Sequence, residues 1–129
     1  MKLVLLADHR KNELLMNFCV AYNQILERHD LYSLFHTARL LEQHTGLQVY
    51  GLPTDIVGGL DQLAARAQFN EIDAVIYLRD PDIEDYDSHN PLIRACDINL
   101  IPYTSNLAGA ELLVLAIDRG DLDWRNFVH

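Results

Sequence analysis

The chain has 129 residues, half of them hydrophobic, and a formal net charge of −9 at pH 7. A chain of this length favours a single domain, here residues 1–129, with one sizeable core. The acidic excess argues against a nucleic-acid partner, since a phosphate backbone requires clustered Lys and Arg. No apolar run approaches the roughly 18 residues that a membrane-spanning helix needs, so no membrane partner is expected.

Two further features of the sequence bear on where the protein works. Cys19 and Cys96 are too few and too far apart to indicate a disulfide framework or a metal site. Residues 1–9 reach charge too early for the apolar core of a signal peptide and contain no small-residue cleavage site. We therefore expect a cytoplasmic protein, and we expect neither a cofactor nor a metal ion.

The first half of the chain predicts three strands and two helices. Residues 2–7 form a nearly continuous apolar run, as expected of a strand covered on both faces. Apolar residues then recur at helical spacing through about Arg28. A second strand at 30–34 leads into a helix through His44, which Gly46 ends, and a brief third strand follows at 48–51.

The second half continues the alternation. Its predicted segments are a loop at 53–59, a helix at 60–69, a strand at 73–78, an acidic loop at 80–90, a short helix from Pro91 to Cys96, a strand at 98–102 and a long helix at 106–118. Acidic residues concentrate in 80–97 and 118–123, and a solvated acidic loop explains most of this excess. In the tail from Gly120, we expect Trp124 and Phe127 to dock on the body of the protein or on a neighbour.

Strands alternating with helices at this spacing imply βαβ units, right-handed crossovers and a parallel sheet. The predicted fold class is α/β, with one doubly wound domain, a five-stranded, mainly parallel sheet and flavodoxin-like layering. In open sheets of this kind, ligands bind outside the carboxyl ends of the strands. The residues that follow the predicted strands are therefore the candidates for function.

Asp8-His9-Arg10-Lys11 follows the first strand. Lys11 stands at the start of a long helix beside free backbone N–H groups, where an anion is doubly favoured. Basic residues at a helix start oppose the helix dipole, so some other reason must keep them there. The alternative is a solvated Lys–Arg pair on the first turn.

The segment Thr54–Gln62 follows the third strand and holds Gly58 and Gly59. Two glycines let the backbone turn tightly and approach a ligand closely, and an acid, Asp61, follows as a helix begins. The alternative role for Asp61 is structural, because a negative charge in the first turn of a helix is favourable in itself.

These motifs, together with Asp80-Pro81 after the fourth strand and Ile101–Ala110 after the last, resemble the methylglyoxal synthase family in order and spacing. The resemblance covers about residues 3–117. It implies a methylglyoxal synthase-like fold, a homohexamer, and a lyase that eliminates phosphate from dihydroxyacetone phosphate, a small phosphorylated metabolite. Such chemistry needs a carboxylate base beside a carbonyl, donors for the enediolate oxygen and a cationic pocket for the phosphate.

The resemblance implies catalytic roles for four residues. Asp8 and His9 match the family's His-Asp-His-x-Lys, in which Ala7 replaces the leading histidine. Asp61 is the candidate base, although alignment on the glycines puts the base position on Leu60, one residue earlier. His89 matches the histidine of a later His-Asp-Pro-Asp loop and is suited to polarising a carbonyl or moving a proton.

The resemblance also implies a phosphate site. Its candidate residues are Lys11, Thr37, Thr54, Gly58 and Gly59. Thr37 lies where the family has a glycine- and threonine-rich loop, with Phe35 and Ala38 now in place of the glycines. In that segment Ser33 also retains a hydroxyl of the family's loop, and His36 and Arg39 could supply positive charge for a different anion. A structural alternative is that Thr37 caps the helix.

Four other positions match or replace family residues. Arg79 replaces a tryptophan before Asp80, and Arg94 matches an arginine of the following helix. Ser105 and Asn106 reach the same sheet edge, where capping the next helix is their alternative role.

Two alternatives to a lyase remain open from the sequence. One is a non-catalytic domain of the same fold that binds a phosphorylated or other anionic metabolite. The other is a metal hydrolase that uses Asp8, His9, Asp80 and His89, although their spacing matches no familiar ligand pattern.

Overall fold

Five parallel strands form the centre of the computed structural model, which describes residues 1–128. Their order is β3-β2-β1-β4-β5. The strands are β1 (Lys2–Ala7), β2 (Asp30–Leu34), β3 (Val49–Leu52), β4 (Ala74–Leu78) and β5 (Tyr103–Thr104). The reversal of strand order beside β1 is the topological switch point, where this fold class binds ligands. The predicted fold class is confirmed, and every strand pair is parallel.

Seven helices connect and cover these strands in the part of the chain that the structure describes. They are α1 (Asn12–Ala21), α2 (Asn23–Leu26), α3 (Phe35–Thr45), α4 (Ile56–Gln68), α5 (Pro91–Ile98), α6 (Leu107–Asp118) and α7 (Arg125–Val128), and a short 3-10 turn (His9–Lys11) precedes α1. Within residues 1–128, no helix combines the length and the apolar character that crossing a membrane would require.

The central strand β1 is buried on both faces, which explains its nearly continuous apolar sequence. Leu3 and Leu5 belong to the core under α1, α3 and α6, whereas Val4 and Leu6 belong to the core under α4 and α5. All four side chains are at most 1% exposed. The β1–Asp8 junction is therefore held rigidly at the carboxyl edge of the sheet.

Two predicted helix bounds need correction. The helix expected through Arg28 is interrupted at Tyr22 (φ −109°, ψ 25°), which separates α1 from α2. Helix α4 begins at Ile56, four residues before the predicted start, because the Asp55 carboxylate accepts a hydrogen bond from Gly58 N–H at 2.9 Å and caps the helix. The loop is thus shorter than predicted, and Gly58 and Gly59 are helical.

The predicted fifth strand is present, but its predicted bounds of 98–102 are wrong. Helix α5 extends to Ile98, and Leu100 then takes a left-handed conformation (φ 57°). The Pro102 carbonyl accepts a hydrogen bond from Val75 N–H at 3.0 Å, and Tyr103 and Thr104 form the strand that pairs with β4. The apolar residues before β5 thus form a turn, in which Ile101 is buried (3% exposed).

The tail docks through a residue other than those expected. Trp124 and Phe127 are 44% and 88% exposed, so neither is buried against the body of the protein, and their docking on a neighbour stays a prediction. Instead Arg125 is buried and donates hydrogen bonds to Leu100 O, Ile72 O and Asn70 Oδ1. Its Nε also lies 3.6 Å from Asp73 Oδ1. A guanidinium thus ties the tail to the amino end of β4.

Candidate active site

A cavity of about 490 Å³ opens at the carboxyl edge of the sheet. The end of β1 contributes Asp8, the end of β4 contributes Tyr77 and Arg79, and the start of α4 contributes Leu60 and Asp61. The acidic loop after β4 completes the wall, and its cavity-lining residues are Ile83, Asp85, Ser88, His89 and Asn90. The cavity lies at the strand ends where ligands bind in this fold class.

A larger cleft of about 980 Å³ lies at the opposite end of β2 and β3. Its lining includes Glu27, His29, Asp30, Glu42 and Tyr50, and none of the residues that the sequence predicted for function. We take the smaller cavity as the candidate site because it lies at the carboxyl edge of the sheet and is lined by the predicted residues Asp8, Asp61 and His89.

The carboxylate of Asp8 is fixed by two hydrogen bonds. The Tyr77 hydroxyl donates to Oδ1 at 3.0 Å, and the backbone N–H of Asp80 donates to Oδ2 at 2.7 Å. Burial, reinforced by the nearby Asp8 carboxylate, raises the pKa of Tyr77 above its ordinary value of 10.0. Tyr77 therefore remains a donor at neutral pH, and Asp8 presents a charge of fixed orientation to the cavity.

The neighbouring carboxylate of Asp80 has a structural role. It is 2% exposed, and its Oδ1 accepts a hydrogen bond from the Asp82 N–H at 3.0 Å. Arg10 Nη1 lies 3.3 Å from its Oδ2. Asp80 is therefore an exception to the prediction that this acidic segment is solvated, and Arg10 is engaged outside the cavity.

Asp61 and His89 both line the cavity, and both also line an adjoining groove of about 340 Å³ between α4 and α5 that includes Arg94. Adjacent helical residues differ in direction by about 100°. Because Leu60 and Asp61 both reach the wall, the shift of one residue noted in the sequence leaves Asp61 at the cavity. Asp8, Asp61 and His89 are thus brought together, as expected for a common site.

The residues predicted to bind phosphate lie elsewhere on the same edge. Lys11, Thr37 and Thr54 follow β1, β2 and β3, and none of them lines the 490 Å³ cavity. The catalytic candidate His9 is also absent from its lining and is exposed. The predicted phosphate side chains therefore stand apart from the three residues that the cavity gathers.

The two predicted phosphate-binding glycines have their N–H groups paired within α4. Gly58 donates to the Asp55 side chain and Gly59 to Asp55 O, at 2.9 and 2.8 Å. A Cβ on Gly59 would overlap Leu34, and one on Gly58 would lie 2.6 Å from Thr54 Oγ1. Close packing of α4 on the end of β2 thus accounts for Gly59.

The start of α3 lacks a side-chain cap, so the predicted capping role of Thr37 is not observed. Thr37 is almost fully buried in the first turn. Ser33 is also buried, and its hydroxyl donates to Leu5 O at 2.5 Å, which ties it to β1. His36 and Arg39 are exposed, and the Arg39 guanidinium lies over the Phe35 ring.

Two asparagines act as helix caps. Asn106 Oδ1 accepts a hydrogen bond from Gly109 N–H, which confirms the capping role considered for it. Asn90 Oδ1 accepts from the N–H groups of Leu92 and Ile93 and caps α5. The sequence signal for this second cap was an asparagine directly before a proline at the first helical position.

Sequence reasoning missed Tyr77, which lines the cavity and belongs to a strand that is buried throughout. It noted Arg79 only as a replaced tryptophan, yet this residue also lines the cavity. The available signal was the presence of Tyr77 and Arg79 at the end of an otherwise apolar strand. Phenol and guanidinium groups are rarely buried without a polar partner, so they indicate a polar site nearby.

The four residues considered for a metal hydrolase do not form a ligand cluster. Across residues 1–128, no group of three or more His, Cys, Asp or Glu side chains is arranged to hold a metal ion. Asp80 faces Arg10, and His9 lies outside the cavity that Asp8 and His89 share.

Comparison with known proteins places this geometry in a family, although no protein-family model matches the chain. Methylglyoxal synthase of Caldicellulosiruptor saccharolyticus is 42% identical, over 100% of this chain and 93% of the relative. That of Thermoanaerobacter sp. (strain X514) is 40% identical, over 97% and 96%. The crystal structure of methylglyoxal synthase from Elizabethkingia anophelis NUHP1 superposes with a TM-score of 0.78 at 25% identity, covering 88% of this chain and 76% of that one. The chain belongs to the methylglyoxal synthase family.

Proposed function

We propose that the protein is a carbon–oxygen lyase that eliminates phosphate from dihydroxyacetone phosphate to give methylglyoxal. The observation that carries this proposal is the gathering of Asp8, Asp61 and His89 around one cavity at the switch point of the sheet. The family relationship, with relatives named methylglyoxal synthase at about 40% identity over nearly their whole length, supports it.

The proposed reaction begins with proton transfer. Asp61 removes a proton from the hydroxymethyl carbon beside the ketone, and the electron pair forms an enediolate. Collapse of the enediolate breaks the carbon–oxygen bond to phosphate, which leaves as inorganic phosphate. The remaining enol gains a proton on its terminal carbon and becomes methylglyoxal. One substrate therefore gives one phosphate and one methylglyoxal, with no oxidation or reduction overall.

The other two groups stabilise the developing charge. His89 lies in the wall and can donate a hydrogen bond to the oxygen that becomes negative. Asp8, held by Tyr77 and by the Asp80 N–H, has its orientation set before substrate arrives. Its proposed part is to hold the substrate hydroxyl in position for proton removal. Because the Asp8 carboxylate is already oriented, it need not reorganise during the reaction, and the activation barrier to proton removal is lower.

The phosphate-binding and remaining catalytic assignments remain proposals. Lys11 directly precedes α1, Thr37 lies in the first turn of α3, and Thr54 lies just before α4, and an anion is favoured at the start of a helix. Before their N–H groups can contact phosphate, Gly58 has to lose its hydrogen bond to the Asp55 side chain and Gly59 its helical hydrogen bond to Asp55 O. His9 would join the site only if the 3-10 turn moved towards the cavity.

A specific observation favours the non-catalytic alternative. The side chains Lys11, Thr37 and Thr54 do not line the cavity that holds the catalytic candidates. A domain that binds an anionic metabolite without turning it over would be compatible with that separation.

One experiment decides between the two functions. Protein purified from a host whose own methylglyoxal synthase gene is deleted is incubated with dihydroxyacetone phosphate, and inorganic phosphate and methylglyoxal are followed together. The lyase predicts equal amounts of both products, and heat-inactivated protein provides the background. No turnover together with a substrate-dependent rise in melting temperature would instead establish the binding domain.

Assembly with further copies of the chain is also proposed, as a hexamer by resemblance to the family. Large apolar side chains remain exposed on the single chain, including Val57 (71%) and Leu112 (72%). Light scattering tests the proposal, since a hexamer has six times the chain mass of 14.8 kDa. The expected cytoplasmic location stays a prediction.

A further inference from the structure

The charges lining the candidate cavity are poorly matched to a phosphorylated substrate. Three carboxylates line it, from Asp8, Asp61 and Asp85. Of the residues that the structure describes, Arg79 is the one permanent cation in this lining. A phosphate dianion therefore needs the Arg79 guanidinium to offset the carboxylate field, and the chain's net charge of −9 strengthens this need.

Contacts with two aromatic rings fix the Arg79 guanidinium in place. Its Cζ lies 4.3 Å from the centroid of the Tyr86 ring and 5.6 Å from that of the Tyr77 ring. Its Nη2 donates to Tyr86 O at 2.9 Å. Stacking engages the flat face of a guanidinium and leaves its in-plane N–H groups free for other acceptors. The side chain is thus held in one orientation with donor capacity to spare.

One of these donors has no partner. Arg79 Nε is buried, and it has no hydrogen bond to any residue from 1 to 128. An unpaired buried donor costs about 1–3 kcal/mol, so native proteins rarely keep one without a reason. Because Nε is buried, a ligand in the cavity can be bound only through the Nη groups of this guanidinium, whose N–H groups suit an oxyanion.

We propose that Arg79 binds the phosphate group of the substrate within this cavity through the Nη groups of its guanidinium, with the Tyr86 ring as its support. The inference rests on the proposed function for the identity of the substrate. It names a specificity-determining residue on the cavity wall, as an alternative to the side chains proposed along the sheet edge, none of which lines the cavity.

Arg79 has a second possible role, as a latch for the loop at 80–90. Its contacts with Tyr86 join that loop to the end of β4. The two roles predict different behaviour. A latch depends equally on Arg79 and on the Tyr86 ring, whereas an anion site depends on the guanidinium far more than on the ring.

The test is a titration of melting temperature with inorganic phosphate against sodium chloride at equal ionic strength. Wild type is compared with Arg79→Gln, Arg79→Lys, Tyr86→Leu and Arg119→Gln. The matched charge control is Arg119, which is exposed and pairs with Asp121 at the far end of α6. Circular dichroism establishes that each variant is folded, and Arg79→Lys preserves the positive charge if Arg79→Gln does not fold.

We expect Arg79→Gln to weaken phosphate binding at least tenfold and Arg79→Lys to weaken it less. Tyr86→Leu should weaken it about threefold, and Arg119→Gln should leave it unchanged. In turnover, Arg79→Lys should raise KM about tenfold with kcat within threefold. Three results would each overturn the proposal: no phosphate stabilisation of wild type, phosphate binding by Arg79→Gln equal to wild type, or an equal loss in Tyr86→Leu and Arg79→Gln.

Failure of this proposal is distinguishable from failure of the lyase. Turnover by wild type with normal phosphate binding by Arg79→Gln would remove Arg79 from the site and leave the lyase intact. If wild type shows no turnover but binds phosphate in a way that depends on Arg79, the lyase is excluded and Arg79 remains the phosphate-binding residue.

Discussion

At the scale of single residues, the orientation of side chains at the strand ends determines the chemistry. Asp8 and Asp80 lie at the ends of adjacent parallel strands, yet their surroundings give them different roles. Asp8 accepts hydrogen bonds from Tyr77 and from a backbone N–H at the cavity, whereas Asp80 is buried against Arg10. One carboxylate thus lines the cavity, and the other is part of the scaffold.

Tyr77→Phe removes one of the two donors that fix Asp8. A hydrogen bond to a charged group contributes roughly 1.5 kcal/mol. We therefore expect kcat for dihydroxyacetone phosphate to fall about tenfold while KM changes little, because the role of Tyr77 is to position Asp8. Steady-state kinetics measure both parameters.

The matched control for this variant is Tyr103→Phe, which removes a tyrosine hydroxyl that donates to Asp97 on the exposed side of the sheet. Equal activity of Tyr77→Phe and Tyr103→Phe would show that the hydroxyl of Tyr77 does not position Asp8.

Helix α4 shows how the placement of one element determines the site. Its early start follows from the Asp55 cap, and its first turns place Leu60 and Asp61 at the cavity. The first turn can pack closely on β2 because residue 59 has no side chain. The geometry of Asp61 therefore depends on a contact two residues before it.

Gly59→Ala should lower the free energy of unfolding by about 1–2 kcal/mol, because overpacking against the buried Leu34 outweighs the better helix propensity of alanine. Gly58→Ala is the control, since Thr54 can rotate away from an added methyl group. Urea denaturation measures both changes.

A double variant separates steric overlap from other effects. Leu34→Ala removes the atoms that the new methyl group would meet, so Leu34→Ala combined with Gly59→Ala should lose less stability than the sum of the two single changes. Strict additivity would show that Gly59 is required for a reason other than its contact with Leu34.

Elements with long, regular patterns were the most predictable from sequence. The bounds of β1 and β2 are confirmed because buried parallel strands carry nearly continuous apolar runs. The C′ glycine of α3, Gly46, is confirmed by its φ of 73°. The start of α4 was missed because its capping residue, Asp55, is of a type that is also common in loops. The position of β5 was missed because the apolar turn before Tyr103 has the sequence pattern of a strand.

The whole molecule depends on contacts that join distant parts of the chain. The residues that follow the predicted strands were expected at one edge of the sheet, because parallel strands end there, and the cavity at that edge gathers Asp8, Asp61 and His89. The burial of Arg125 could not be foreseen, because its acceptors come from segments around residues 70 and 100 whose paths depend on the finished fold.

Arg125→Ala should lower the free energy of unfolding by about 3 kcal/mol, because it leaves buried carbonyl oxygens without donors and Asp73 without its partner. Arg119→Ala provides the control, since an exposed ion pair contributes at most about 1 kcal/mol. Equal midpoints of urea denaturation for the two variants would show that the tail is not held by the buried guanidinium.

Phosphate release by an Asp61→Asn variant tests most directly whether Asp61 is the base of the proposed phosphate-eliminating lyase. Asparagine preserves the size of the side chain and cannot accept the proton, so kcat should fall about 1,000-fold with an unchanged melting temperature. Asp30→Asn, an exposed aspartate at the far end of β2, should retain full activity. Release of phosphate by Asp61→Asn at the wild-type rate would contradict the account.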